Sequence, residues 1–182
     1  MNKKENRRVK MTRQLLSESL LELLQTEDIH KISIRALCEK ADVNRSTFYK
    51  YYGSQYDLLE EMEDTLISEI GTILDSSKKD LPFKEKMTII LHFAKDHAHL
   101  VRIMLNGNVD PDFPNRLFSL PAIDKRMNKE TLFPASAEGI YLQDFLFYGG
   151  YQIFRRWINS DFQESPEQMA EIISNIFHRF EC

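Results

Sequence analysis

The stretch SIRALCEKADVNRSTFYKYY, Ser33 to Tyr52, decides the fold. Ile34, Leu37, Cys38 and Ala41 recur at i, i+3, i+4 and i+7, the stripe of a short amphipathic helix, and Ser33 stands where such a helix takes its N-cap. Asp42–Asn44 reads as a turn. Asn44 then caps a further helix over Arg45–Tyr52, which Gly53 ends as a C′ glycine. Working outward, Leu16, Leu20, Leu23 and Leu24 mark a preceding helix that starts near Arg8. On the other side Ser54 caps a fourth helix, whose stripe of Leu58, Leu59, Met62, Leu66, Ile70 and Ile73 runs to about Ser76.

Short helices whose last two are joined by a three-residue turn make a helix-turn-helix. Phe48 and Tyr52, four apart, face inward. Arg45, Ser46, Tyr49 and Lys50 then face out. That outer face has the chemistry of a reader of double-stranded DNA. Arg forks onto a guanine edge and Ser reaches base or phosphate, while Tyr and Lys suit phosphates, which set register without reading sequence. Lys3, Lys4, Arg7, Arg8, Lys10 and Arg13 precede the unit. Residues 1–8 read as a basic, flexible arm, and these basic residues either track phosphate, enter a minor groove or are simply solvated.

The run Ile32–Tyr52, continued by Gly53-Ser54-Gln55-Tyr56-Asp57-Leu58-Leu59, resembles the DNA-binding domain of the tetracycline-repressor (TetR/AcrR) family over about 50 residues. The resemblance implies operator contacts at Arg45, Ser46, Thr47, Tyr49, Lys50 and Tyr51, with Ser33 at phosphate and Asn44 and Gln55 among the DNA-binding positions. Three positions depart from the family's habit. Asp42 stands for the turn glycine, and Asp tolerates the left-handed conformation. Tyr52 stands for Phe, so its hydroxyl requires a partner. Gln55 stands for Lys, which removes one phosphate contact.

Beyond residue 57 the chain reads as a helical effector and dimerisation domain, 58–182, which makes the molecule all-α. Phe83–Leu105 forms one or two helices with Met87, Ile90, Leu91, Ala94 and Ala98 inward. Asn106–Pro134 holds four of the six prolines and excludes long helices, though Ala122–Lys129 suits a short one; the segment reads as a pocket lid or an irregular connection. Ser136–Ser160 is strongly apolar. Gly149–Gly150 leaves a β-hairpin open there, but an isolated hairpin is marginal and no other segment offers a partner strand. Ser165, Pro166 and Gln168 form a capping-box start for a last helix.

The segment from Tyr148 to Met169 resembles the family subgroup that includes a regulator of dihydroxyacetone-kinase genes. By resemblance the last two helices pair two copies, with Tyr148, Gly149, Gln152, Met169, Ile172, Ile173, Ile176 and Phe180 at the interface. An apolar pocket for a small-molecule effector is drawn from His92, Phe93, Met104, Phe118 and Phe147. His92 and His99, seven apart, share a helical face, but no carboxylate or cysteine completes a set at metal-ligand spacing, so no metal and no cofactor is expected.

Charge and composition agree with a local contact to nucleic acid. Residues 1–57 hold 11 Lys/Arg against 8 Asp/Glu, and the rest 13 against 20. Two cysteines, Cys38 and Cys182, make no disulfide framework and point to a reducing cytoplasm. The polar N-terminal stretch is followed by no apolar run of a signal peptide, and Asp144, Arg155 and Arg156 interrupt the most apolar segment, so no membrane span is expected. No Gly-rich phosphate loop, nucleophile elbow or triad points to an enzyme. The expectation is a homodimeric repressor on a pseudo-palindromic operator, released by an effector. The alternative is a family member that works by contacting another regulator protein.

Overall fold

The computed structural model describes residues 3–76, 81–106, 112–118 and 136–179. The helices are α1 Lys3–Leu23, α2 Ile34–Lys40, α3 Arg45–Phe48, α4 Gln55–Ser76, α5 Phe83–Asp96, α6 Ala98–Asn106, α7 Phe113–Phe118, α8 Ala137–Asn159 and α9 Pro166–His178. No strand occurs among the described residues. The chain divides into two compact units, with the break inside α4 between Leu66 and Ile67.

In the first unit α1 packs on α2 and α2 on α3. Leu16, Leu20, Leu37, Phe48 and Leu58 are fully enclosed, and Ile29, Ile32, Leu59, Met62 and Leu66 nearly so. At about 1.5–3 kcal/mol for each such side chain, this burial is what holds helices too short to stand alone. The backbone is helical from Lys3, five residues before the start near Arg8 that the sequence suggests, so α1 takes in most of the basic arm. Lys, Glu and Arg carry little helix penalty, Asn6 somewhat more, and no Pro or Gly stops the helix.

Two further differences from the sequence reading lie near Tyr52. Regular α-helix ends at Phe48, not Tyr52. The amides of Tyr51 and Tyr52 both donate to the Phe48 carbonyl, at 2.9 and 3.0 Å, which tightens the chain into a turn. Gly53 is not a left-handed C′ residue, since no described glycine has positive φ. A Cβ there would stand 3.1 Å from Asp57 Oδ2, the atom that accepts the Gly53 N–H at 2.9 Å, so that exposed carboxylate would have to give way by a few tenths of an ångström.

In the second unit α9 lies along α5. Phe83 and Phe177 meet at 5.4 Å between ring centroids, and Lys84–Glu171 and His92–Glu167 pair at 2.7 Å on the rim. The helix through 83–106 breaks at His97 (φ −106°, ψ 26°), which puts His92 and His99 on different helices. The hairpin alternative falls, because Gly149 and Gly150 lie inside the 23-residue α8. Arg102 of α6 ties down the end of α8, donating to the Ile158 carbonyl at 2.9 Å and to Asp161 at 2.7 Å. Trp157 is buried there, its Nε1–H donating to the Glu164 carbonyl at 2.9 Å, with Phe162 edge-on at 4.8 Å. Asp161 and Phe162 both take positive φ to make the α8–α9 corner. The capping box at α9 forms as the sequence predicts: Ser165 Oγ accepts the Gln168 N–H at 3.3 Å, and Gln168 Oε1 accepts the Ser165 N–H at 2.9 Å. The expected helix Ala122–Lys129 lies outside the described residues.

Candidate nucleic-acid interface

The turn between α2 and α3 sets the geometry of the candidate site. Asp42 takes φ 51°, the left-handed conformation that the missing glycine would have supplied. The Val43 amide returns to the Cys38 carbonyl at 3.0 Å and closes the end of α2. Ser33 Oγ accepts the Ala36 N–H at 3.1 Å and so starts α2. Asn44 starts α3: its Oδ1 accepts from the Ser46 amide at 2.9 Å and the Ser46 hydroxyl at 2.8 Å. Such caps contribute about 1 kcal/mol each. The bond between Asn44 and Ser46 also orients both side chains before any ligand arrives. Arg35 is held by Glu39 at 2.7 Å. Cys38 lies buried beneath, its thiol pushed up by burial against a smaller opposing effect of the Arg45 charge.

Above this frame Arg45, Ser46, Tyr49 and Lys50 are exposed, with Phe48 and Tyr52 buried behind them. Thr47 and Tyr51 are half-buried. Tyr49 is braced edge-on by Phe48 at 5.6 Å. Nine positions proposed from the sequence thus lie within one local unit, and eight of them on Ser33–Tyr51. Gln55 behaves differently: its Nε2 donates to the Ile29 carbonyl at 3.4 Å, so the side chain reaches back to the 3-10 turn Ile29–Lys31.

The Tyr52 hydroxyl finds its partner in Glu61 of α4, donating to Oε1 at 3.0 Å. Glu61 also binds Arg13 of α1, with Nη1 at 3.1 Å from Oε2 and 3.3 Å from Oε1. The Arg13 guanidinium lies over the rings of Tyr51 and Tyr52, at 5.5 and 5.7 Å. Burial first, then the bond to Glu61 and its charge, push the Tyr52 hydroxyl well above its ordinary value. The sequence showed that this hydroxyl needs a partner. It did not show which, because Glu61 is one of several exposed-pattern acids on α4.

The sequence-derived pocket residues differ in their surroundings. His92 is exposed and paired with Glu167; Phe93 stacks on His97 at 4.4 Å; Met104 is buried in the second unit's core; Phe147 is half-buried. The Phe118 side chain lies outside the described residues. Of the proposed interface residues, Met169 and Ile173 are buried within the unit itself, Ile176 is half-buried, and Tyr148, Gln152 and Ile172 are exposed. Phe180 lies outside the described residues. Nothing lies within 4 Å of where a Gly149 Cβ would be. Among the described residues no group of three His, Cys, Asp or Glu is arranged to hold a metal ion, and no helix is long and apolar enough to cross a membrane.

An all-helical chain with a capped helix-turn-helix and a polar outer face belongs to the helix-turn-helix class. Family comparison makes this specific. Residues 17–62 match the model of bacterial regulatory proteins of the tetR family, and residues 82–179 match a transcriptional regulator C-terminal region, TetR_C_8. The chain belongs to the tetR family of bacterial transcriptional regulators. Among curated proteins it is 25% identical over 162 residues to the HTH-type transcriptional regulator YxbF of Bacillus subtilis, covering 86% of this chain and 42% of that one. It is 30% identical over 110 residues to the nucleoid occlusion factor SlmA of Photorhabdus laumondii, covering 57% of this chain and 55% of that one. The chain thus spans about half the length of the curated relatives it matches. Among solved structures, a TetR transcriptional regulator from Streptococcus agalactiae has a TM-score of 0.72 at 23% identity, with 94% of this chain and 96% of that one covered. The dihydroxyacetone kinase operon activator DhaS has a TM-score of 0.57 at 16% identity, with 92% and 94% covered. Both show a shared fold.

Proposed function

We propose that this protein is a sequence-specific regulator that binds double-stranded DNA as a homodimer on a pseudo-palindromic operator, represses from it, and is released by a small-molecule effector. One observation carries the DNA reading: Arg45, Ser46, Tyr49 and Lys50 share the exposed side of a segment anchored by buried Phe48 and Tyr52. Residues 1–57 do the reading; residues 58–182 pair the copies and take the effector. Ser33, Asn44, Thr47 and Tyr51 complete the contact surface. One such helix reads only a few base pairs, so a two-fold dimer is required to read two half-sites. Effector binding shifts the population of dimer conformations by its differential affinity for them. The setting is the cytoplasm.

Pairing is supported by α8. Tyr141, Phe145, Tyr148 and Gln152 are spaced 4, 3 and 4 apart, one seam of a helix pair, and all four are exposed. Ile140 and, on α9, Ile172 add to the exposed apolar surface.

A gel-shift assay at fixed salt, on duplexes selected from a random library, tests the DNA reading. Arg45→Ala and Tyr49→Ala should both bind less tightly, by about 1–3 kcal/mol for Arg45, with relaxed base preference only for Arg45. Binding like wild type by both would remove the assignment. Gln55 favours a second reading, in which another regulator protein assists. Its side chain is turned onto the Ile29 carbonyl, leaving one phosphate anchor fewer. A chain that shifts no duplex by itself would support that reading.

A further inference from the structure

Regular helix holds only the first turn of the reading segment, Arg45–Phe48. Tyr49, Lys50 and Tyr51 follow in a turn whose amides close on Arg45, Thr47 and Phe48. No further turn of helix beyond them carries the backbone onward, so their pose depends on what anchors the two ends of the turn. Phe48 anchors one end by complete burial. At the other end stands Tyr52, and its hydroxyl is held by Glu61, a residue of the 22-residue α4.

Glu61 also controls the neighbouring ring. It binds Arg13 through both carboxylate oxygens, and the guanidinium covers the faces of Tyr51 and Tyr52. Arg13 Nε is buried without a hydrogen-bond partner. The Glu61 pair and the two ring faces are therefore what fix the guanidinium. A carboxylate that accepts from a tyrosine and an arginine together, with the arginine packed on the adjacent tyrosine, couples α1, α4 and the reading segment at one point.

We propose that Glu61 is a positioning residue for DNA reading: by holding the Tyr52 hydroxyl and Arg13 together, it sets the pose of Tyr49–Tyr51 against the operator. Glu61 touches no base and no phosphate in this role. Its loss blurs a specific complex more than a non-specific one, because non-specific binding rests on charge and tolerates a loosely held reader. The proposal rests on the assignment of the reading segment above.

The test uses the full chain and two duplexes of equal length: the tightest one the wild type selects from a random library, and a scrambled version. Tyr52→Phe removes the hydroxyl with no change of charge, and Glu61→Gln removes the ion pair. Each should weaken the selected duplex by about three- to tenfold, the range of one lost hydrogen bond or partly exposed ion pair. Binding to the scrambled duplex should weaken less than twofold, or tighten for Glu61→Gln, which removes a negative charge. The slope of log affinity against log salt should stay unchanged, since no phosphate contact is lost. The double variant should lose less than the sum of the two, because both act on one carboxylate. Thermal midpoints, measured alongside, establish that each variant is folded at the assay temperature. Arg45→Ala serves as the control. If Arg45→Ala weakens the selected duplex while both network variants bind like wild type, or weaken both duplexes equally, the positioning role is wrong and the reading segment stands. If Arg45→Ala also binds like wild type, the reading segment itself is misassigned and the proposal falls with it.

Discussion

Tyr49 in the first unit and Tyr141 in the second are both exposed aromatics, at 52% and 74%, yet their neighbours differ. Tyr49 stands among Arg45, Ser46 and Lys50, groups that lose little by staying in water and gain by meeting phosphate. Tyr141 stands beside Ile140, at 62%, with Phe145, at 63%, one turn on. Contiguous apolar surface of that kind gains by being covered. Around Tyr49 the first unit presents a polar face that suits nucleic acid, although Met11 and Leu15 of α1 are also exposed elsewhere on it. The second leaves part of its apolar complement outside, a face that suits protein. An exposed tyrosine by itself says little; the residues one helical turn away decide what it is for.

The strongest way to break this contrast is to put charge on the second face. If α8 pairs two copies as proposed, Tyr141→Asp combined with Tyr148→Asp should leave monomer in sedimentation and reduce operator binding by more than about a hundredfold, since buried unpaired charge costs several kcal/mol and a single head reads one half-site. The monomer should still unfold cooperatively, at a midpoint lowered by the lost association and by the lost Tyr148–Asn115 hydrogen bond, because these side chains are exposed within the protomer. A collapse of the midpoint instead would show that this face belongs to the core. On the first face, Lys50→Ala should weaken selected and scrambled duplexes alike and lower the salt slope by about one, the mark of a phosphate contact.

Gly149→Ala sharpens the comparison further. Nothing within the protomer meets the added methyl, so the helix should gain about 0.5–1 kcal/mol from the lost glycine entropy. If a second copy packs closely there, the same methyl should weaken the dimer, so that the two readouts move in opposite directions. A dimer of unchanged affinity would place Gly149 outside the interface.

The smallest effect concerns Glu167, on the rim between α5 and α9. The Ser165 hydroxyl first, then its own backbone N–H and His92, hold its carboxyl down, from 4.5 to about 2. A depressed carboxylate contributes stability that is fully present above its unfolded value and is lost as pH falls toward its folded one. The difference in thermal midpoint between wild type and Glu167→Gln should therefore narrow as pH drops from about 5 to about 2. A difference that stays constant over that range would show that Glu167 contributes nothing through its charge.

Much of the fold was legible because it rests on local rules. Ser33, Asn44 and Ser165 cap the helices at which their positions and side-chain oxygens predicted caps. Phe48 and Tyr52 point inward because their spacing matches a helical turn. The readings that changed depend on neighbours distant in sequence or on backbone competition that a pattern does not express. Regular helix stops at Phe48 because one carbonyl there takes two amides. Gly53 serves a carboxylate four residues on instead of a left-handed cap. The pairing of His92 with Glu167, 75 positions away, likewise lies beyond any local pattern.

By itself, then, the sequence determined an all-helical chain with a helix-turn-helix between Ser33 and Tyr52, since helical period, capping and turn chemistry act over a few residues and are written there directly. Only the tertiary structure decided that Glu61 and Arg13 hold the end of the reading segment and that Gln55 turns to Ile29. Contacts across 9, 26 and 48 residues form when separate helices pack, and no local pattern encodes which side chains that packing brings together.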